Sequence, residues 1–165
     1  MMKARRKVVA SASSRRTQLT LTQRVERLER QYFAEQASAK GARYVVEGET
    51  VRDATTGLTW SRENIGGKRL TWADAKAACE ALKIGGHSDW RLPTVQELLT
   101  LVDYSRINPA IDVDAFRCEA HWYWTSTPYG GSPAVYAWVV GFSSGYSCWN
   151  GQDCEIHVRA VRAGQ

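Results

Sequence analysis

Two capped helix starts, set between two groups of short alternating strands, limit this chain more than any other feature. Thr71 with Asp74 three residues later starts a helix that runs to about Lys83, with Ala75, Ala78, Cys79 and Leu82 on its apolar stripe. Gly85-Gly86 ends it. Pro93 at the entry, Thr94 at the N-cap and Glu97 at the third helical position start a second helix, to about Asp103, with Val95, Leu98, Leu99 and Val102 facing inward. Before them, Arg43 to Glu47, Thr50 to Asp53 and Leu58 to Ser61 read as strands, the last two joined by the turn chemistry of Asp53 to Gly57. After them, Tyr123 to Ser126, Ala137 to Phe142 and Ile156 to Arg162 alternate as strands. Strands, two helices, then strands spell an α+β fold with an antiparallel sheet.

Charge divides the chain into three parts. Met1 to Arg30 carries nine Lys or Arg against Glu26 and Glu29, which leaves the remaining residues about −2 of the formal net +5. Residues 1–19 form a basic arm, rich in Ser, Ala and Arg, that has little to bury and orders only on a partner. With no aromatic residue before Tyr32 it offers no stacking platform, so nucleic acid is not the expected partner. Residues 20–40 read as a helix. Thr20 and Gln23 make a capping box, and Leu21, Val25, Leu28 and Tyr32 recur as the seam of a coiled coil. The alternative is an amphipathic helix packed on its own domain. Residues 41–165 form the globular part. No apolar run is long enough to cross a membrane, and the Val8-Val9-Ala10 run is too short for the core of a signal peptide. The expectation is a chain that does not use the general secretory route and meets the outside through lysis or a particle.

Chemistry-bearing patterns are sparse. Cys79, Cys118, Cys148 and Cys154 are expected as reduced thiols, although Cys148 and Cys154 are close enough in sequence to clip a loop. Cys118-Glu119-Ala120-His121 and Cys154-Glu155-Ile156-His157 form two Cys-x-x-His units. Positions i and i+3 of a strand point to opposite faces, which speaks against a shared zinc ion, so no metal and no cofactor are expected. No Ser-His-Asp order, carboxylate pair or phosphate loop points to an enzyme.

Trp60, Trp72, Trp90, Trp124 and Trp138 fall in regular elements and are expected in the core. Asp89, Arg91, Arg159 and Arg162 sit among apolar residues, and buried charge needs partners, so some of them should pair to hold helix ends to the last strand. Tyr129, Tyr146 and Trp149 instead lie in two segments that read as loops, Pro128 to Ser132 and Ser143 to Gly151, rich in Gly, Ser and Asn, with Ser143, Ser144 and Asn150 beside them. Aromatic anchors among adaptable polar residues are the chemistry of a recognition surface. These six residues are the candidate ligand contacts.

The ordered set of motifs resembles a known family. Asp53-Ala54-Thr55-Thr56-Gly57-Leu58-Thr59-Trp60, Thr71-Trp72 with Ala75 and Cys79, Asp89-Trp90-Arg91-Leu92-Pro93-Thr94 with Glu97-Leu98, Tyr123-Trp124-Thr125-Ser126-Thr127, Ala137-Trp138 with Phe142 and Gly145, and Val158-Arg159-Ala160-Val161-Arg162 together are similar to the C-terminal domain of Legionella collagen-like adhesins. The resemblance implies a C-type-lectin-like fold, related to the sulfatase-modifying-factor fold and to the variable proteins of diversity-generating retroelements, with members among adhesins and phage tail proteins. It also implies a last-strand Cys paired with the first-helix Cys; here that position is Ala160, so Cys79 lacks this partner. The calcium and sugar triplets of sugar-binding C-type lectins are missing, since Trp149-Asn150 is followed by Gly151 and Asn108-Pro109 lacks the preceding acid or amide.

The expectation is a receptor-binding protein of a phage tail fibre or tail tip that contacts a bacterial surface glycan or protein. Its arm and helix would dock it to other tail proteins of the virion as a homotrimer. A bacterial surface or secreted adhesin and a purely structural virion protein are the alternatives. The heptad seam predicts that light scattering gives the full chain a mass of several protomers; a single-chain mass removes the coiled coil.

Overall fold

The computed structural model describes residues 41–164 together with Arg24, Val25 and Leu28. The chain divides into two compact units, residues 1–40 and 41–165. In the first, Val25 and Leu28 are helical and exposed. Leu21, Tyr32 and the basic arm lie outside the described residues.

The second unit is α+β. Strands β1 (Tyr44–Glu47), β2 (Thr50–Asp53) and β3 (Leu58–Ser61) form an antiparallel meander, and β7 (Val161–Ala163) joins it beside β3. A second antiparallel sheet holds β4 (Trp122–Pro128), β5 (Tyr136–Gly141) and β6 (Tyr146–Gly151) in that order. Helix α1 (Trp72–Glu80) starts where the Thr71 hydroxyl accepts the Asp74 N–H, and it stops three residues short of the sequence expectation. Its buried residues are Ala75 and Cys79, with Ala78 and Leu82 half-buried. Helix α2 (Val95–Leu99) carries the full Thr94/Glu97 capping box. It is only five residues long, because Thr100 to Val102 continue as turns. Leu101 and Val102 are nonetheless buried, so the apolar pattern reports burial beyond the helix itself.

The sheet of β4, β5 and β6 separates two hydrophobic cores. Side chains alternate across a sheet, and the register sets Tyr123 opposite Val140 and Trp124 opposite Val139. Tyr123 and Val140 pack with Trp60, Leu98, Phe116 and Phe142. Trp124 and Val139 pack with Trp90, Cys79, Ile156 and Ala160. Trp60, Trp90 and Trp124 are buried as expected of core residues, whereas Trp72 and Trp138 are half-buried at the margins. Trp72 donates its indole N–H to the Thr125 carbonyl at 2.7 Å and receives Lys76 over its ring, which lets it end at the surface.

The last segment departs from the single strand expected over Ile156 to Arg162. It changes partner along its length. Ile156 bridges Leu70, His157 runs parallel to Tyr123, and only Val161–Ala163 enters a ladder. Every residue from Ile156 to Arg162 is buried, so its backbone groups need partners one by one. Ile65 N–H donates to the Val158 carbonyl, Ser61 N–H to the Ala160 carbonyl, and the Ala160 N–H to the Ser61 hydroxyl.

The charged residues sort differently from one another. Arg162 is buried and donates to Asp89 at 2.7 Å, which ties β7 to the segment ahead of α2. Arg91 is exposed, against the expectation of a buried charge, and forks onto Glu97 at 2.6 and 2.8 Å. Arg159 is wholly buried, yet among the described residues no carboxylate pairs with it. Its guanidinium donates to the carbonyls of Ser61, Arg62 and Arg117, and it lies over the Phe116 ring at 5.1 Å and the Tyr123 ring at 5.8 Å. A planar fork suits several carbonyls at once, and weak hydration makes its burial less costly than that of an ammonium.

Two predictions follow from these contacts. Replacing Arg159 with Met removes the donors to the Ser61, Arg62 and Arg117 carbonyls, of which the Ser61 bond is fully buried, and should lower the unfolding free energy by about 3–5 kcal/mol in urea titrations, with Arg159→Lys intermediate. The Arg91 fork holds the Glu97 carboxyl below the ordinary glutamate value of 4.5, against the opposing effect of burial. That contribution is complete above the ordinary value and is lost as pH falls through the depressed folded one. The stability gap between wild type and Glu97→Gln should therefore narrow as titrations move below pH 4.5, and a gap that stays constant would contradict the pairing.

Candidate recognition surface

Of the two expected aromatic loops, the one that carries Tyr129 remains a loop between β4 and β5, and the other turns out to be mostly sheet. Tyr146 to Gly151, read from sequence as loop, is β6, the edge strand of its sheet. Gly145 makes this possible: its φ of +83° closes the β5–β6 hairpin, and a side chain there would run into Val102. Only Phe142 to Gly145 remain as the turn, with Ser143 half-buried and Ser144 exposed.

Strand geometry then divides the six candidate contacts. Trp149 stands opposite Trp138, and Tyr146 stands opposite Gly141. Residues three apart in a strand face opposite ways, so Tyr146 and Trp149 cannot form one surface. On the Trp149 face, Tyr129 stacks on Trp149 with centroids 5.3 Å apart, Tyr136 meets Trp149 edge-on at 4.8 Å, and Tyr129 meets Trp138 at 5.8 Å. Four rings thus form one cluster at the end of the sheet where β4 leaves and β5 begins. On the other face, Trp122 lies across Gly141 and meets Tyr146 edge-on at 5.1 Å. Asn150 sits on this second face and accepts the Gly151 N–H at 2.9 Å. Trp149 remains 45% exposed and Tyr146 55% exposed, so each face keeps a large apolar ring in contact with solvent.

A family profile described as the Lcl C-terminal domain matches residues 49–162, more than half of the chain. The chain belongs to the Lcl C-terminal domain family. Among curated proteins none matches it. The Lcl C-terminal domain thus takes in β2 through the start of β7, and both aromatic faces lie inside it. Cys79 and Ala160 of this domain lie in one buried cluster, where the resemblance implied a pair of cysteines. Burial in that cluster pushes the Cys79 thiol up to about 12, so it behaves as an apolar filler rather than a nucleophile. Cys148 and Cys154 are exposed free thiols.

Tyr136, Trp138 and Trp122 were not among the expected contacts. The Tyr136-Ala137-Trp138 alternation was visible, but its meaning depends on the β5–β6 register, which no single strand carries. His121, His157 and Glu119 also come together, unlike the two Cys-x-x-His units. Cys118 is taken up by the Tyr123 hydroxyl at 3.3 Å, and Cys154 lies exposed beside Asp153.

Proposed function

We propose that this chain is a receptor-binding protein of a phage tail fibre or tail tip, whose Lcl C-terminal domain contacts a bacterial surface glycan or protein. Residues 1–40 would dock it to other virion tail proteins as a homotrimer. The observation that carries the reading is the four-ring cluster of Tyr129, Tyr136, Trp138 and Trp149. Rigid aromatic rings present large apolar area at small entropic cost, and their faces match the apolar faces of sugar rings. The lectin-like fold implied by the family resemblance accords with such a role, as does a basic arm followed by heptad spacing. Binding would need no cofactor and involve no catalysis. The domain's kinship with adhesins equally favours a second reading, a bacterial surface or secreted adhesin that presents the same face.

The two aromatic faces make different predictions. Trp149→Ala should weaken binding of the full chain to host cells by about tenfold or more, because hot spots concentrate on large aromatic anchors. Tyr146→Ala, on the opposite face, should change it by no more than about twofold. Both variants should melt as cooperatively as the wild type, since both rings are half-exposed. Equal loss in the two variants, or no loss in Trp149→Ala, would rule out the four-ring face as the contact. Immunogold labelling of particles against cells separates the phage reading from the adhesin one.

A further inference from the structure

We infer that Glu119, His121 and His157 form a binding site for a divalent transition-metal ion of the zinc class. One donor atom from each of the three lies within 4.8 Å of the others. The best-defined pair, His157 Nε2 and Glu119 Oε2, is 3.4 Å apart. Ligands held at about 2.0–2.1 Å around a tetrahedral ion sit about 3.4 Å from each other, so this pair already has the spacing of two ligands on one ion. The His121 ring stacks on His157 at 5.5 Å and 21°, and rotation of this exposed side chain closes the third position.

The backbone under all three donors is fixed. The His121 N–H donates to the Glu119 carbonyl at 2.8 Å, which closes a tight turn between the two residues. The Glu119 N–H is held by the Tyr123 hydroxyl at 3.1 Å, and the His121 carbonyl by the Phe142 N–H at 3.0 Å. His157 is buried, its carbonyl accepting the Trp124 N–H at 3.0 Å.

A positive group already points at this spot. Arg69 Nε donates toward His157 Nε2 at 3.3 Å, beside the Glu119 carboxylate. The imidazole lone pair thus already faces a cation, and an ion would replace the guanidinium of an exposed side chain. Glu119 and His157 also border an open groove of about 550 Å³, so the remaining coordination position faces solvent. Two imidazoles and one carboxylate favour zinc, nickel or copper over calcium or magnesium. This site lies ahead of β4, whereas Tyr129 lies beyond its far end, about 20 Å away at strand rise. The inference is therefore independent of the recognition surface.

Zinc alone, titrated calorimetrically into untagged full-length protein, tests it. One ion should bind per chain. His121→Ala and Glu119→Gln, both at exposed positions, should each weaken binding about tenfold or more. Arg69→Gln should tighten it, because the competing cation is gone. With cobalt in place of zinc, the spectrum should lack the thiolate charge-transfer band, and Cys118→Ser and Cys154→Ser should bind as wild type. No zinc uptake, uptake unchanged in His121→Ala, or uptake lost in either Cys variant overturns the assignment.

Discussion

Arg159 is the constraint on which the rest of the domain turns. A fully buried guanidinium with no carboxylate beside it must hand its protons to backbone carbonyls, and it takes them from Ser61, Arg62 and Arg117. Those three carbonyls belong to the end of β3 and to the segment that leads into β4. One side chain therefore fixes the meander sheet, the approach to the second sheet and the chain's last segment against each other. The rings of Phe116 and Tyr123 supply the remaining stabilisation through their negative faces. Interactions of this kind are favourable in a dry interior and costly to leave unmade, which gives the closing segment one position instead of several.

Tyr123 links that constraint to both candidate sites. Its ring lies under Arg159 and stacks on His157, while its hydroxyl donates to Asn64 and accepts the Glu119 N–H. Burial pushes the phenol well above its ordinary value, so it stays protonated and serves only as a hydrogen-bonding post. It stands near the start of β4, so the same post that orders Glu119 and His157 also sets the strand whose far end delivers Tyr129 to Trp149. A sheet with a core on each side has no freedom to twist away, and the rings on its edge inherit that rigidity.

Much of the fold was legible because local rules decided it. Thr71 and Thr94 are caps in the structure as in the sequence, since a cap needs only residues three apart. The first three strands and the burial of Trp60 and Trp124 follow from alternation in the same way, whereas Trp90 is buried although it lies outside the regular elements expected to hold it. What escaped was set by distant partners. Ile156 to Arg162 alternates like a strand, yet its neighbours change from Leu70 to Tyr123 to Arg91 and β3, and no local pattern records that. Arg91 and Arg159 stand in similar apolar company in the sequence, yet one is exposed on Glu97 and the other is wholly buried. Glycine-rich, serine-rich composition suggested a loop at Tyr146 to Gly151 because turn residues are common there. Pairing with β5 overrode that preference.

The conversion of loop into edge strand changes how the aromatic rings of the domain can be presented. A loop carrying Tyr146 and Trp149 could present both rings together and adapt to a ligand, at the entropic cost of ordering it. An edge strand cannot, because the pleat sends the two rings to opposite faces, each already packed on a neighbour. Trp149 is held by Tyr129 and Tyr136, and Tyr146 by Trp122 across the gap that Gly141 leaves. Such a surface is pre-formed, and in the proposed receptor-binding role it would discriminate by shape. The glycine at position 141 is part of this arrangement, since any side chain there would displace the Trp122 ring that supports Tyr146. Sequence change at Tyr129, Tyr136 and Trp149 would alter one face of the sheet while leaving the other face and both cores in place, which is the property a receptor-reading domain needs if its ligand is to vary.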